Sequence, residues 1–222
     1  MKILVVGDIH GCFDEFLDLV SKSGIGEEDR IIALGDIVDR GPKIWETFEY
    51  FRATPNTQCL MGNHERKNIG IFEGTHIPTK AQNITREQLG KEKYSIMCEW
   101  FKSLKYFEVL AEAICIHGFW EHGIPLHEQK ETVLAGTYYG EKFIRDNYER
   151  VLKKKWFELY DGDLPLIVGH RDYKRDGSPL IWNDKVYCID TGCVVGGMLT
   201  GIVLPEFKII QVSAKSHYWV VG

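Results

Sequence analysis

Short apolar runs recur along the chain, and each stops at a polar cluster. Ile3-Leu4-Val5-Val6 stops at Gly7-Asp8-Ile9-His10-Gly11, Ile31-Ile32-Ala33-Leu34 at Gly35-Asp36, and Gln58-Cys59-Leu60-Met61 at Gly62-Asn63-His64-Glu65. Further on, Ala113-Ile114-Cys115-Ile116 stops at His117, Leu166-Ile167-Val168 at Gly169-His170, and Val186-Tyr187-Cys188-Ile189 at Asp190. Such short continuous runs read as buried strands. Between the first two, Phe13, Phe16, Leu17 and Val20 fall on one face of a helix that Gly24 can end. A second helix is predicted from Pro42 through Trp45, Phe48 and Tyr50. The opening is therefore β-α-β-α-β, which implies parallel strands and an α/β fold. Residues 66–104 read as helical with a loop around Gly74 to Pro78, and residues 129–160 as a further helical insertion. Leu180 to Val221 returns to strands and turns, expected to form a second sheet. No repeat or linker interrupts the chain, so a single domain over 1–222 is expected.

In open α/β sheets, ligands bind beyond the carboxyl ends of the strands. All six polar clusters occupy that place. They carry Asp8, His10, Asp36, Asn63, His64, His117 and His170, with Asp39 and Arg40 just beyond. Carboxylate and amide oxygens mixed with imidazole nitrogens suit divalent transition metals. The lack of thiolate argues against a structural zinc site, and the histidines argue against calcium or magnesium. Asp8 and His10 are two apart, so an extended loop would point both to one side.

Composition narrows the function. The 222 residues hold 27 lysines and arginines against 32 acidic residues, a net charge of −5. No global basic field exists to favour general nucleic-acid or anionic-membrane binding. The six cysteines are scattered with no CxxC pair, the pattern of reduced, packed thiols. The N-terminus turns acidic at Asp8, too early for a signal peptide, and the nearly uncharged Thr191 to Pro205 stretch is too short and glycine-rich to span a bilayer. A soluble, cytoplasmic protein with no obligate partner is expected.

The three N-terminal clusters, Gly7-Asp8-Ile9-His10-Gly11, Gly35-Asp36-Ile37-Val38-Asp39-Arg40-Gly41 and Gly62-Asn63-His64-Glu65, resemble the signature blocks of the phosphoprotein phosphatase family within the calcineurin-like metallophosphoesterases. Their spacings fit too, with 28 residues from Asp8 to Asp36 and 27 from Asp36 to Asn63. Ile116-His117-Gly118 and Gly169-His170 resemble the family's two later histidine motifs. Asp190-Thr191-Gly192-Cys193 is similar to the C-terminal turn of bacterial members, diadenosine tetraphosphatases included. The resemblance implies two packed mixed β-sheets flanked by helices. It implies one metal on Asp8, His10 and Asp36, and a second on Asp36, Asn63, His117 and His170. The pair, manganese first with iron, zinc, cobalt or nickel as other candidates, would ionise a shared water. Arg40 and Asn63 would bind the phosphoryl group, and His64, oriented by Asp39, would protonate the leaving oxygen. Arg145 is a candidate second phosphate arginine, with Arg171 or Arg175 in its stead.

Substrate is the open question at this level. Glu65 resembles the protein-phosphatase form of its block, which points to phosphomonoesters and to phosphoserine or phosphothreonine. Symmetrical hydrolysis of diadenosine tetraphosphate is the alternative, followed by a polynucleotide end-phosphatase and a non-catalytic binding module. Trp120, Tyr138 and Tyr139 could stack on a base or fill the core. Cys12, at a helix start, is either an activated thiol or a packed residue. His76, His122, His127 and His217 are expected at the surface, with His122 a possible pocket residue.

Overall fold

The computed structural model describes residues 1–220. In chain order the first half runs β1 (Ile3–Val6), α1 (Phe13–Ser23), β2 (Arg30–Ala33), α2 (Ile44–Ala53), β3 (Thr57–Cys59), α3 (Asn63–Phe72) and α4 (Lys80–Phe101). The rest runs β4 (Phe107–Val109), β5 (Ile114–Ile116), α5 (Glu131–Leu134), α6 (Tyr138–Ile144), α7 (Arg150–Leu152), β6 (Leu166–Val168), β7 (Leu180–Trp182), β8 (Val186–Cys188), β9 (Asp190–Thr191), β10 (Met198–Leu204) and β11 (Lys208–Ser213).

Two mixed sheets result. The first is ordered β11-β10-β1-β2-β3, with β9 pairing β10; the second is β4-β5-β6-β8-β7. β1, β2 and β3 are parallel, as the β-α-β-α-β opening requires, and β5, β6 and β8 are parallel in the second sheet. All four residues of β1 are buried, because both faces of its sheet are covered. Leu4 and Val6 face one way, packing with Phe16, Phe48 and Phe101 of the flanking helices. Ile3 and Val5 face the other, meeting Cys115, Ile167 and Tyr187 of the second sheet. The outer face of that sheet is closed by Val133, Leu134, Ile144 and Trp156.

The predicted strand runs all form strands. α1 ends at Gly24 in the left-handed conformation, φ 69°, and α2 begins at Ile44, two residues after Pro42. One expectation needs correction. The last third does not build one sheet: β7 and β8 join the second, whereas β9, β10 and β11 return to the first, where β10 pairs antiparallel with β1. Val221 lies outside the described residues. The region 129–160 is built of α5, α6, a π-helical turn over Arg145–Glu149, α7 and a 3-10 turn over Trp156–Leu159. α4 is itself interrupted at Gly90, φ 65°.

Candidate active site

The loops after β1, β2, β3, β5 and β6 bring their polar clusters together between the two sheets' carboxyl ends. Five of the residues there adopt left-handed backbone without being glycine: His10 (φ 47°), Asp36 (50°), Asp39 (68°), Arg40 (71°) and His170 (71°). Such conformations cost on the order of 1 kcal/mol or more each and persist where surrounding contacts enforce them. Those contacts are visible. Glu65 accepts the backbone N–H groups of Asp36 (2.8 Å), Ile37 (2.9 Å) and Gly62 (3.1 Å), fixing the second and third loops together. Its carboxylate is therefore turned inward to the backbone. The loop after β1 is not extended either; Asp8 and His10 still converge, their Oδ2 and Nε2 atoms 4.0 Å apart, because His10 turns left-handed.

Asp36 Oδ2 is the hub. His117 Nε2 lies 3.5 Å from it, His10 Nε2 3.8 Å and His64 Nε2 4.0 Å. Asn63 Oδ1 sits 3.0 Å from His117 Nε2 and 2.9 Å from His170 Nδ1. Asp8 joins through Oδ1, which accepts the His170 backbone N–H at 2.8 Å. Asp8, His10, Asp36, His64 and His117 are all buried.

The two ends of the cluster are oriented differently. His10 Nδ1 donates to the Val38 carbonyl at 2.7 Å, leaving Nε2 to face the centre, where Arg40 Nη1 also reaches it at 2.7 Å. His64 Nδ1 donates to Asp39 Oδ2 at 2.6 Å. Asp39 is further fixed by Asn68 (3.1 Å), Gln82 (2.5 Å) and Thr85 (2.5 Å), the last two on α4. By contrast, His117 Nδ1 and His170 Nε2 are buried with no hydrogen-bond partner among the described residues. Packing holds their rings: Phe119 meets His170 edge-on at 5.1 Å, and Gly136 (φ 63°) lies so close that a Cβ there would stand 2.8 Å from the His170 ring.

The electrostatics are those of a cation site. Burial, then the charges of Asp190 and Asp36, push the Asp8 carboxyl well above its usual range. Burial, tempered by the Gly192 N–H, with Asp172 and Asp36 nearby, takes Asp190 to about 6. Asp36 goes the other way: burial opposes ionisation, but the charges of His117 and His64 hold it well below the carboxylate range. Burial, with Arg40 and His64 beside it, lowers His10, and burial with the His117 charge lowers His170 to about 3, so both are neutral as ligands must be. Burial opposes the charge of His117, but Asp36, Glu65 and Asp190 raise it, as neighbouring carboxylates do for any cation, and these crowded carboxylates beside the neutral His10 and His170 fit divalent metals. Ligand atoms of His10, Asp36 and His64 lie within 4.8 Å of one another, as do those of Asp36, His117 and His170. The first grouping takes in His64 where the sequence pointed to Asp8.

Among the other candidates, Arg171 stands beside His170 and helps lower it, while its Nη2 donates to Glu141 at 2.5 Å. Arg145 Nε is turned to Asp146, and no contact ties it to the cluster. Arg175 lies on the left-handed side of a turn whose N–H binds Asp172. His122 pairs with Asp161 away from the site. Cys12 is a packed thiol whose pKa is driven up by Cys193 and burial. Sequence reasoning missed Asn68, Gln82 and Thr85.

A phosphoesterase centre is what this fold and donor set define. The chain belongs to the calcineurin-like phosphoesterases, whose family model matches residues 1–197. It is an enzyme acting on phosphate esters, of a family that works with two metal ions. It is 30% identical over 245 residues to bis(5′-nucleosyl)-tetraphosphatase PrpE [asymmetrical] of Bacillus cereus (strain B4264), covering 97% of this chain and 95% of that one. A solved structure described as a candidate diadenosine tetraphosphatase superposes with a TM-score of 0.76 at 17% identity, over 96% of this chain and 93% of that one. A protein serine/threonine phosphatase from Saccharomyces cerevisiae gives 0.61 at 18% identity, over 97% and 80%. At these identities the two structures speak for the fold alone. No helix among the described residues is long and apolar enough to cross a membrane.

Proposed function

We propose that this protein hydrolyses dinucleoside tetraphosphates, splitting them asymmetrically into a nucleoside triphosphate and a nucleoside monophosphate. The observation that carries the reading is the end-to-end likeness to a relative bearing that activity in its name, 30% identity over 97% of the chain. It takes the place of phosphoserine and phosphothreonine as the leading substrates, because the relatives that match the chain end to end carry a dinucleotide hydrolase name. It also replaces symmetrical by asymmetrical cleavage.

Asp8, His10 and Asp36 would hold one metal, and Asp36, Asn63, His117 and His170 the other. Bound there, the two ions, manganese first among the candidates, supply Lewis acidity and an activated water. Arg40, beside His10, places a planar guanidinium to grip a phosphoryl group, and Arg171, next to His170, would supply a second. His64, with its Nδ1–H locked onto Asp39, presents Nε2 to the centre as proton donor to the leaving oxygen. That role separates it from the ligands near which it lies. The substrate is small and soluble, so no obligate partner is required, and the cytoplasm is the compartment that fits it.

Chromatography of the products from diadenosine tetraphosphate and manganese-loaded enzyme tests the reading. ATP with AMP is expected, at a kcat/KM on the order of 100-fold above that for a phosphoserine peptide. ADP alone would restore symmetrical cleavage, and an equal or faster peptide rate would restore the protein phosphatase.

A further inference from the structure

Three aromatic residues stand out from the sequence as able to stack on a base, and the structure separates them. Trp120 is buried, and its indole N–H donates to Asp161 at 2.9 Å. Tyr138 and Tyr139 are the reverse, 72% and 76% exposed at the start of α6, with ring centroids 5.6 Å apart in an edge-to-face pair. Two adjacent large aromatic rings left in water are costly to solubility and contribute nothing to the core.

Their position gives them a use. Gly136 abuts the His170 ring, and Tyr138 follows two residues later, within about 7 Å along the backbone. Glu141, one helical turn beyond Tyr138 and on the same face, receives Arg171, the residue after His170. The segment is thus tied to the site at two points, Gly136 against His170 and Glu141 against Arg171, and the two exposed rings lie in the chain between them. This stretch therefore gathers an imidazole of the cluster, an arginine and two exposed aromatic rings. A nucleotide asks for the same set: a reacting phosphate, further phosphate charge and a planar base.

We propose that Tyr138 and Tyr139 form a base-stacking platform that seats one nucleoside of the substrate while Arg171 takes the phosphate next to it. The inference rests on the dinucleotide reading above and adds to it the residues that recognise the base. Stacking on an aromatic ring is tolerant of base identity, so the platform accepts guanosine as well as adenosine.

Inhibition constants for ATP and for inorganic tripolyphosphate, measured against p-nitrophenyl phosphate hydrolysis, isolate the base. Wild-type enzyme should bind ATP on the order of 10-fold more tightly than tripolyphosphate, and Tyr138→Ala/Tyr139→Ala should erase the preference. The Tyr138→Phe/Tyr139→Phe protein should keep it, since the rings and not the hydroxyls do the stacking. With diadenosine tetraphosphate the alanine pair should raise KM on the order of 10-fold while kcat changes less than twofold. Equal affinity of the wild type for ATP and tripolyphosphate overturns the platform, as does an unaltered KM in the alanine pair while the dinucleotide is still cleaved. An enzyme that prefers ATP through these rings yet leaves the dinucleotide intact would instead overturn the function reading and keep the platform.

Discussion

His10 and His64 on one side of Asp36, and His117 and His170 on the other, are imidazoles held in opposite ways, all buried but the half-buried His170. The first pair is steered by hydrogen bonds: His10 through Val38 and His64 through Asp39. The second pair has no such tether on its far nitrogens, and its rings are set by Phe119 and by glycines that leave room for them. A hydrogen bond fixes both the tautomer and the angle of a ring, whereas packing fixes only its place. The half nearest His64 should therefore break under polar substitutions and the half nearest His170 under substitutions of volume.

Asp39→Asn is the sharpest blow to the first half. The side chain keeps its size, and Oδ1 can still accept from Asn68 and Thr85, but the amide nitrogen that replaces Oδ2 accepts from neither His64 nor Gln82, and the charge that sets His64 is gone. A fall in kcat on the order of 100-fold is expected, with the bound manganese measured by elemental analysis still at the wild-type level. Loss of metal in proportion to activity would place His64 among the ligands rather than beside them.

The second half calls for the opposite probe. Gly136→Ala adds a single methyl at a left-handed position and presses it against the His170 ring. Manganese titrations followed by activity should show about a tenfold weaker apparent affinity, with most of kcat regained at saturating metal. A full loss of kcat that excess metal does not restore would mean that His170 is held more rigidly than packing explains.

How much of this was legible beforehand follows from what each feature asks of the sequence. The strand ends are written plainly, because a buried strand must be apolar and its exit loop must not be: Val6 to Gly7-Asp8 and Val168 to Gly169-His170 announce themselves. The left-handed turns at His10 and Asp36 do not, since neither residue is a glycine or asparagine and the conformation is imposed by Glu65 and other distant contacts. Gln82 and Thr85 are ordinary polar residues of a long helix; their importance depends on where α4 docks, which no local pattern records. The return of β10 to β1 was equally hidden, because a buried strand reads the same in either sheet. Tyr138 and Tyr139 were noticed, but only their exposure separates them from Trp120.

The two halves of the site ride on different sheets, so their relative position depends on what joins the sheets. Arg30 on β2 and Gln58 on β3 both reach Glu108 on β4, at 3.0 Å and 3.1 Å, and Lys105 adds a third donor at 3.3 Å. Burial works against the Glu108 carboxylate, but the bonds from Gln58, Arg30 and Lys105 bring its pKa below the ordinary 4.5. A group depressed in the folded state stabilises above its unfolded value and loses that contribution as pH falls through the folded one. Glu108→Gln should therefore cost about 1 kcal/mol at neutral pH, the partly exposed arginine limiting the effect. The gap to wild type should narrow as the pH drops below about 4.5, read from urea midpoints at each pH. A gap constant across that range would assign the loss to packing at the seam instead of charge.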